Sequence, residues 1–185
     1  LAGLQYAHLS ADRPVILIIG GSLGSVTVNQ AVRSILPQLL KTYQVIHICG
    51  KGNLDESLIG TEGYVQYEYV DKPLRHLFAA ADLIICRAGA ATIAEVCASA
   101  TPCIMVPSPN VTDNHQEKNA RVLEKNGAAV VIRENECDGD SLYEAAKQLL
   151  SDRERCRAMR SAAANLAVVD AAERIYQTAL ELSRH

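Results

Sequence analysis

No apolar run in this sequence exceeds five or six residues. A helix needs about 20 to span a bilayer, so no segment reads as transmembrane. The opening residues, Leu1-Ala2-Gly3-Leu4, have no basic stretch and no long apolar core, so they do not read as a secretory leader. They also lack an initiator Met, as expected of an excised domain or of a chain trimmed of a short leader. The formal net charge is only −3. That leaves no broad basic field for nucleic acid or anionic lipid, and no nucleic-acid partner is expected.

Metal-site spacing is absent too. The six cysteines (Cys49, Cys86, Cys97, Cys103, Cys137 and Cys156) form no C-x-x-C pair and have no His partners at zinc spacing. No metal and no cofactor are expected. Most of these cysteines lie within apolar runs, where a free thiol behaves as a small hydrophobe. Reduced thiols of a cytosolic protein are the preferred reading. There is no Ser-His-Asp order, no nucleophile elbow and no pair of inward carboxylates, so no catalytic residue is assigned within this chain. Repeats, low-complexity tracts and long linkers are also missing.

What is present is a regular alternation. With 185 residues, 49% apolar and 21% charged, the chain can bury a substantial core as a globular domain. Short apolar runs rich in β-branched residues or Tyr predict strands at Val15–Ile19, Val45–Cys49, Val65–Tyr69, Leu83–Cys86, Cys103–Val106 and Ala129–Ile132. Between them, apolar residues at intervals of three and four predict helices over 28–39, 74–80, 91–100 and about 114–125, the last stopped by Asn126-Gly127. Three more helices are predicted at Ser141–Leu150, Arg153–Ala163 and Leu166–Leu182. Strands alternating with helices imply right-handed crossovers and an α/β fold, a doubly wound parallel six-stranded sheet of Rossmann-like type with a helical C-terminal extension. Three parts are expected: a linker remnant over 1–12, the α/β domain over 13–165 and a closing helix over 166–185. In such a sheet, ligands bind outside the C-terminal strand ends, so the loops there are where function is sought.

The first of these loops is Gly20-Gly21-Ser22-Leu23-Gly24-Ser25, with Asn29 a short way into the following helix. Its glycines allow a sharp turn and a close approach to a ligand. It is not G-x-G-x-x-G, it has no P-loop Lys, and the second strand does not end in an acid, which argues against NAD. By itself it is compatible with a plain tight turn. The loop after the third strand, Val70-Asp71-Lys72-Pro73, offers main-chain groups at Val70 that can meet a flat base.

The segment Cys86-Arg87-Ala88-Gly89-Ala90-Ala91-Thr92-Ile93-Ala94-Glu95 reads as strand end, glycine turn and helix start. Ile93, Val96, Cys97 and Ala100 share one helical face, and Thr92, Glu95 and Ser99 another. Free N–H groups at a helix start attract phosphate, and a carboxylate one turn in can accept two hydrogen bonds from a ribose diol. The same residues also suit an ordinary crossover helix with one solvated Glu. A last loop runs from Pro107 to Asn119; its two prolines keep it stiff, and His115, Gln116 and Asn119 offer donors and acceptors suited to sugar hydroxyls.

Three motifs, Gly20-Gly21-Ser22-Leu23-Gly24, Cys86 to Glu95, and Asn114-His115-Gln116-Glu117-Lys118-Asn119-Ala120, together resemble the C-terminal half of the MurG family. These are peripheral N-acetylglucosaminyltransferases that convert lipid I to lipid II in peptidoglycan synthesis. The resemblance runs from about Arg13 to the C-terminus, with the motifs in the expected order. It implies a two-domain GT-B transferase whose C-terminal domain holds UDP-N-acetylglucosamine. By matched position, Ser22 contacts the diphosphate, Val70 the uracil, and Ala90, Ala91, Thr92, Ile93 and Ala94 the phosphates. Glu95 takes the ribose hydroxyls and Gln116, with His115, the sugar. Gly21, Gly24 and Asn119 are further candidates. The alignment needs a one-residue gap near Val70. The resemblance places the lipid I acceptor, the peripheral contact with the cytoplasmic face of the bacterial membrane and the general base in an N-terminal domain without counterpart here. Two alternatives stay open: the donor half of a related UDP-sugar glycolipid transferase, and a stand-alone nucleotide-sugar-binding subunit of a split enzyme.

Overall fold

In the computed structural model, which describes residues 1–20, 24–109 and 115–184 apart from the side chain of Arg174, the chain alternates as follows. It runs α1 (Ala2–Ala7), β1 (Val15–Ile19), α2 (Val26–Ser34), α3 (Leu36–Leu39), β2 (Gln44–Ile48), β3 (Tyr64–Tyr67), α4 (Leu74–Ala80) and β4 (Leu83–Cys86). It continues α5 (Ala90–Ser99), β5 (Cys103–Met105), α6 (His115–Lys125), β6 (Val130–Val131), α7 (Gly139–Ser151) and α8 (Arg153–Ser183). Short 3-10 turns occupy Glu56–Leu58 and Glu134–Glu136. All six strands are parallel, in the order β3-β2-β1-β4-β5-β6. The expected doubly wound α/β sheet with a helical C-terminal part is therefore what forms.

The strands read as continuous apolar runs because both faces of the sheet are covered. Ile16 and Ile18 of β1 point to one face, where Val28 and Val32 of α2, Leu36 and Leu39 of α3, and Leu142 and Leu149 of α7 pack on them. Val15 and Leu17 point to the other, against Leu77 and Phe78 of α4, Val96 and Cys97 of α5, Leu123 of α6 and Ala163 of α8. Ile16, Leu17 and Ile18 are each fully buried. At about 1.5–3 kcal/mol per buried aliphatic side chain, these central strands dominate the drive to fold. The six cysteines are free and buried.

Two elements differ from the sequence expectation. Within the stretch expected to be linker, α1 packs on α4, with Ala7 fully buried and Gly3 so close to the His76 carbonyl that a Cβ would collide with it. This helix is six residues long. Tertiary contact must stabilise it, because so short a helix is unstable alone. The two final helices are one, a 31-residue α8 capped by Asp152, whose carboxylate accepts from the Arg155 N–H at 3.0 Å. Ala162-Ala163-Ala164-Asn165 contains neither Gly nor Pro, so nothing interrupts the helix there. Its first half is anchored by the buried Cys156, Met159 and Ala163, whereas Val168, Val169, Ile175, Tyr176 and Leu182 are exposed.

Candidate functional site

Because every strand runs the same way, the loops after β1, β3, β4 and β5 emerge at one edge. Strand order reverses between β1 and β4, leaving a crevice where the turn after Ile19 faces the turn after Cys86. A direct hydrogen bond joins the two sides: Arg87 donates from its guanidinium to the Ser25 hydroxyl oxygen at 2.6 Å. Ser25 is also the N-cap of α2, accepting from the Val28 N–H at 3.2 Å. Arg87 further donates to the Val106 carbonyl at 3.2 Å and pairs with Glu134 at 3.0 Å. A single half-buried cation thus ties together the ends of β1, β4, β5 and β6. No local pattern in the sequence assigns Arg87 this role. The available signal was a charged residue directly after four apolar strand residues.

On the other side of this turn, α5 starts at Gly89 without a side-chain cap. Its first residues, Ala90 and Ala91, are exposed and carry no bulk beyond a methyl, and Thr92 is half-buried. Among the described residues nothing caps these N–H groups, and the helix presents the positive end of its dipole at the strand-end edge. α2, α7 and α8, by contrast, carry side-chain caps. Ala94 and Glu95 are exposed one turn further in, while Ile93 leans on the core. Among the described residues Glu95 has no hydrogen-bond or ion-pair partner in the structure. Cys86, next to this turn, is no nucleophile: burial pushes its thiol up to about 12.

Gln116 is drawn into the same turn. Its side-chain carbonyl accepts from the Ala88 N–H at 3.3 Å and the Ser108 N–H at 2.9 Å. That leaves its amide nitrogen as the end near Gly89, 3.8 Å from where a Cβ on that glycine would stand. Asn119, one turn along α6, donates to the Ala88 carbonyl at 3.5 Å. The two side chains therefore brace the loop before α5, a duty that sequence reasoning did not anticipate. His115 is exposed at the start of α6. Val70 buries its side chain in the core beneath Leu77 and Phe78, and its main-chain groups make no backbone hydrogen bond among the described residues. Gly24 has φ +78°, a left-handed conformation, and rests against the Cys49 carbonyl. Gly21 and Ser22 lie outside the described residues.

A groove of about 780 Å³ flanks the site, with Ala90, Ala94, Glu95 and Asn119 on one wall and Leu166 and Asp170 of α8 on the other. Its lining is mostly apolar and, among the described residues, includes none of Gly20, Gly24 and Ser25. Among the described residues, no three His, Cys, Asp or Glu side chains cluster as metal ligands. Arg87, a cationic group at the crevice, is already paired with Glu134. Any anion received here would be held mainly by the main-chain N–H groups of α5.

Comparison with known proteins agrees with this geometry. The chain is 46% identical over 153 residues to the UDP-N-acetylglucosamine--N-acetylmuramyl-(pentapeptide) pyrophosphoryl-undecaprenol N-acetylglucosamine transferase of Lachnospira eligens, covering 82% of this chain and 43% of that protein. To the protein of the same name in Lachnoclostridium phytofermentans it is 43% identical over 170 residues, 91% of this chain and 48% of the relative. The chain thus spans less than half the length of these curated relatives. Among solved structures, the crystal structure of Acinetobacter baumannii MurG superposes with a TM-score of 0.72 at 27% identity, covering 87% of this chain and 48% of that one. The glycosyltransferase VinC, in complex with dTDP, shares the fold at a TM-score of 0.61 and 18% identity. Residues 15–175 match the family described as the glycosyltransferase family 28 C-terminal domain. The chain belongs to that family.

Proposed function

We propose that this chain is the donor-binding half of an inverting N-acetylglucosaminyltransferase, moving N-acetylglucosamine from UDP-N-acetylglucosamine to lipid I to form lipid II in peptidoglycan synthesis. The observation that carries the reading is the uncapped amino end of α5 at the crevice between β1 and β4. The names of the relatives point to the same donor. The diphosphate would rest on the N–H groups of Ala90, Ala91 and Thr92, and Ser22 would contact it too. Ile93 and Ala94 would complete that first turn, Glu95 would take the ribose hydroxyls and main-chain groups of Val70 the uracil. Gln116, with its amide nitrogen turned toward Gly89, and His115 would reach the sugar, with Gly21, Gly24 and Asn119 as further candidates.

In this reading the acceptor hydroxyl attacks the anomeric carbon and UDP leaves from the opposite side. The helix dipole and main-chain donors stabilise the charge that develops on the diphosphate. The acceptor site, the general base and a peripheral hold on the cytoplasmic face of the membrane would belong to the part of the relatives' length this chain does not span. The exposed distal half of α8, with Val168, Val169, Ile175 and Tyr176, would close against that part. No helix among the described residues is long and apolar enough to cross a membrane.

The test is calorimetric titration of the chain with UDP-N-acetylglucosamine, UDP-glucose, GDP-mannose and NAD. Preferential binding of the UDP sugars is expected. Equal affinity for GDP-mannose or NAD would refute the assignment.

A further inference from the structure

Behind the first glycine turn lies a buried polar cluster that the reading above does not use. His47 of β2 is fully buried, with Nε2 2.7 Å from Asn29 Oδ1 and Nδ1 2.8 Å from the Tyr64 hydroxyl. Asn29, on the first turn of α2, donates from its amide nitrogen to the Cys49 carbonyl at 2.9 Å. These contacts assign every proton. Since the Asn29 nitrogen faces a carbonyl, its oxygen faces His47 and must accept, so Nε2 carries the ring proton. Nδ1 is then an acceptor and takes the Tyr64 hydroxyl proton. The ring is neutral: burial, with the nearby Arg33 guanidinium, holds its pKa at about 3.

The cluster has one mechanical output, the carbonyl of Cys49. That oxygen accepts from Asn29 and also from the Asn53 amide nitrogen at 3.1 Å. Gly24 sits on it so closely that a Cβ would collide. Gly20 donates from its N–H to the neighbouring Ile48 carbonyl at 3.4 Å. The end of β2 is therefore the floor of the glycine turn, and Asn29 holds that floor to α2. One helical turn on, Arg33 donates to the Asn53 carbonyl at 2.6 Å and to Gln66 Oε1 at 2.8 Å, clamping the same loop from its far side. Apolar side chains of similar volume would serve packing alone. Three interlocked polar groups instead fix one relative placement of α2, β2 and β3, because a shift of any of them leaves a buried group unpaired.

We propose that Asn29 and His47 are positioning residues for the diphosphate end of the donor site, setting where Gly24 and the amino end of α2 stand opposite the Arg87–Gly89 turn. What is positioned follows from the contacts above; what is bound there rests on the UDP-sugar reading. Arg87 holds α2 at Ser25, and the Asn29–His47 pair holds it one turn further in. Two anchors on one helix start restrain its tilt.

The experiment compares the wild-type chain with Asn29→Ala, His47→Phe and His47→Gln. Each is titrated with UDP and with uridine, and backbone amide exchange is followed by NMR. Asn29→Ala and His47→Phe are expected to weaken UDP about tenfold, the loss of one hydrogen bond to a charged ligand, with uridine changed less than about twofold. His47→Gln, which can still donate to Asn29, should restore UDP affinity to within about threefold of wild type. Exchange protection at Val28 and Asn29 should fall while the β4 amides keep theirs. Unchanged UDP affinity in both disruptive variants overturns the proposal. So does an even loss of protection across the whole sheet, which would mark general destabilisation. If the wild-type chain binds no UDP, the donor reading fails. The exchange data then decide the positioning claim alone: a local loss at Val28 and Asn29 upholds it and unchanged protection ends it.

Discussion

Arg87 and Ser25, 62 residues apart in sequence, meet through a 2.6 Å hydrogen bond that joins the turn after β4 to the N-cap of α2. The same guanidinium reaches Glu134 and the Val106 carbonyl. Replacing Arg87 with Ala leaves a half-buried carboxylate, a carbonyl and a cap hydroxyl short of a partner. The expected loss is about 2–3 kcal/mol, the usual worth of hydrogen bonds to a charged group. Arg87→Lys should recover less than half of it, because an ammonium cannot span three diverging partners. Urea denaturation midpoints of the two variants check this; an Arg87→Lys midpoint equal to wild type would contradict it.

Glu95 is exposed, without a partner among the described residues, and one turn into α5. Glu95→Ala should leave the melting temperature within a degree or two, as for most exposed substitutions, and weaken UDP binding by about 1.5–3 kcal/mol. Calorimetry of the variant beside the wild-type chain decides; unchanged UDP affinity would remove Glu95 from the ribose.

Gly24 combines a φ of +78° with close contact to the Cys49 carbonyl. Gly24→Ala meets the left-handed penalty of about 1–2 kcal/mol per residue and must also displace the end of β2. A fall in stability larger than that penalty alone is expected from chemical denaturation, with UDP affinity falling too. A variant as stable as wild type would show that the turn yields freely.

His47 gives the chain a defined acid response. Its folded pKa of about 3 lies below the ordinary 6.5, chiefly through burial. Between those values the unfolded chain takes up a proton that the folded chain refuses. Stability from this group is thus fully present above pH 6.5 and drains away as pH falls toward 3, at a slope approaching ~1.4 kcal/mol per pH unit. Asp12, Asp55 and Asp138, whose carboxyls hydrogen bonds hold below the ordinary value, act in the same direction only below about pH 4. Denaturation from pH 7 to pH 4.5 should show the slope in wild type and a flatter profile in His47→Gln. Parallel profiles would assign the acid response elsewhere.

The distal half of α8 exposes Val168, Val169, Ile175, Tyr176 and Leu182. An apolar stripe of this kind promotes association when nothing covers it. Sedimentation of the isolated chain should show concentration-dependent self-association, relieved by Val169→Asp with Ile175→Asp. A clean monomer at high concentration would count against an interface role for this face.

The sequence by itself determined the alternation of strands and helices, and with it the sheet, its C-terminal edge and the glycines placed after the strands. Those properties follow from local periodicity and turn chemistry, which are written in neighbouring residues; the Val65–Tyr69 expectation missed β3 by only one or two positions at each end. Glu95 and the amino end of α5 were legible for the same reason, since a helix start and the carboxylate one turn in belong to one short segment. Tertiary structure alone decided the rest. α1 exists because Gly3 lets it rest on α4, and nothing in its own six residues demands a helix. Gln116 was read as a sugar ligand, yet its carbonyl is engaged by Ala88 and Ser108, which only strand order brings within reach. Asn29, His47 and Tyr64 look unrelated along the chain and form one hydrogen-bonded unit because β2 lies between α2 and β3. Hydrogen bonds between distant segments depend on which strands become neighbours, and no local pattern encodes that.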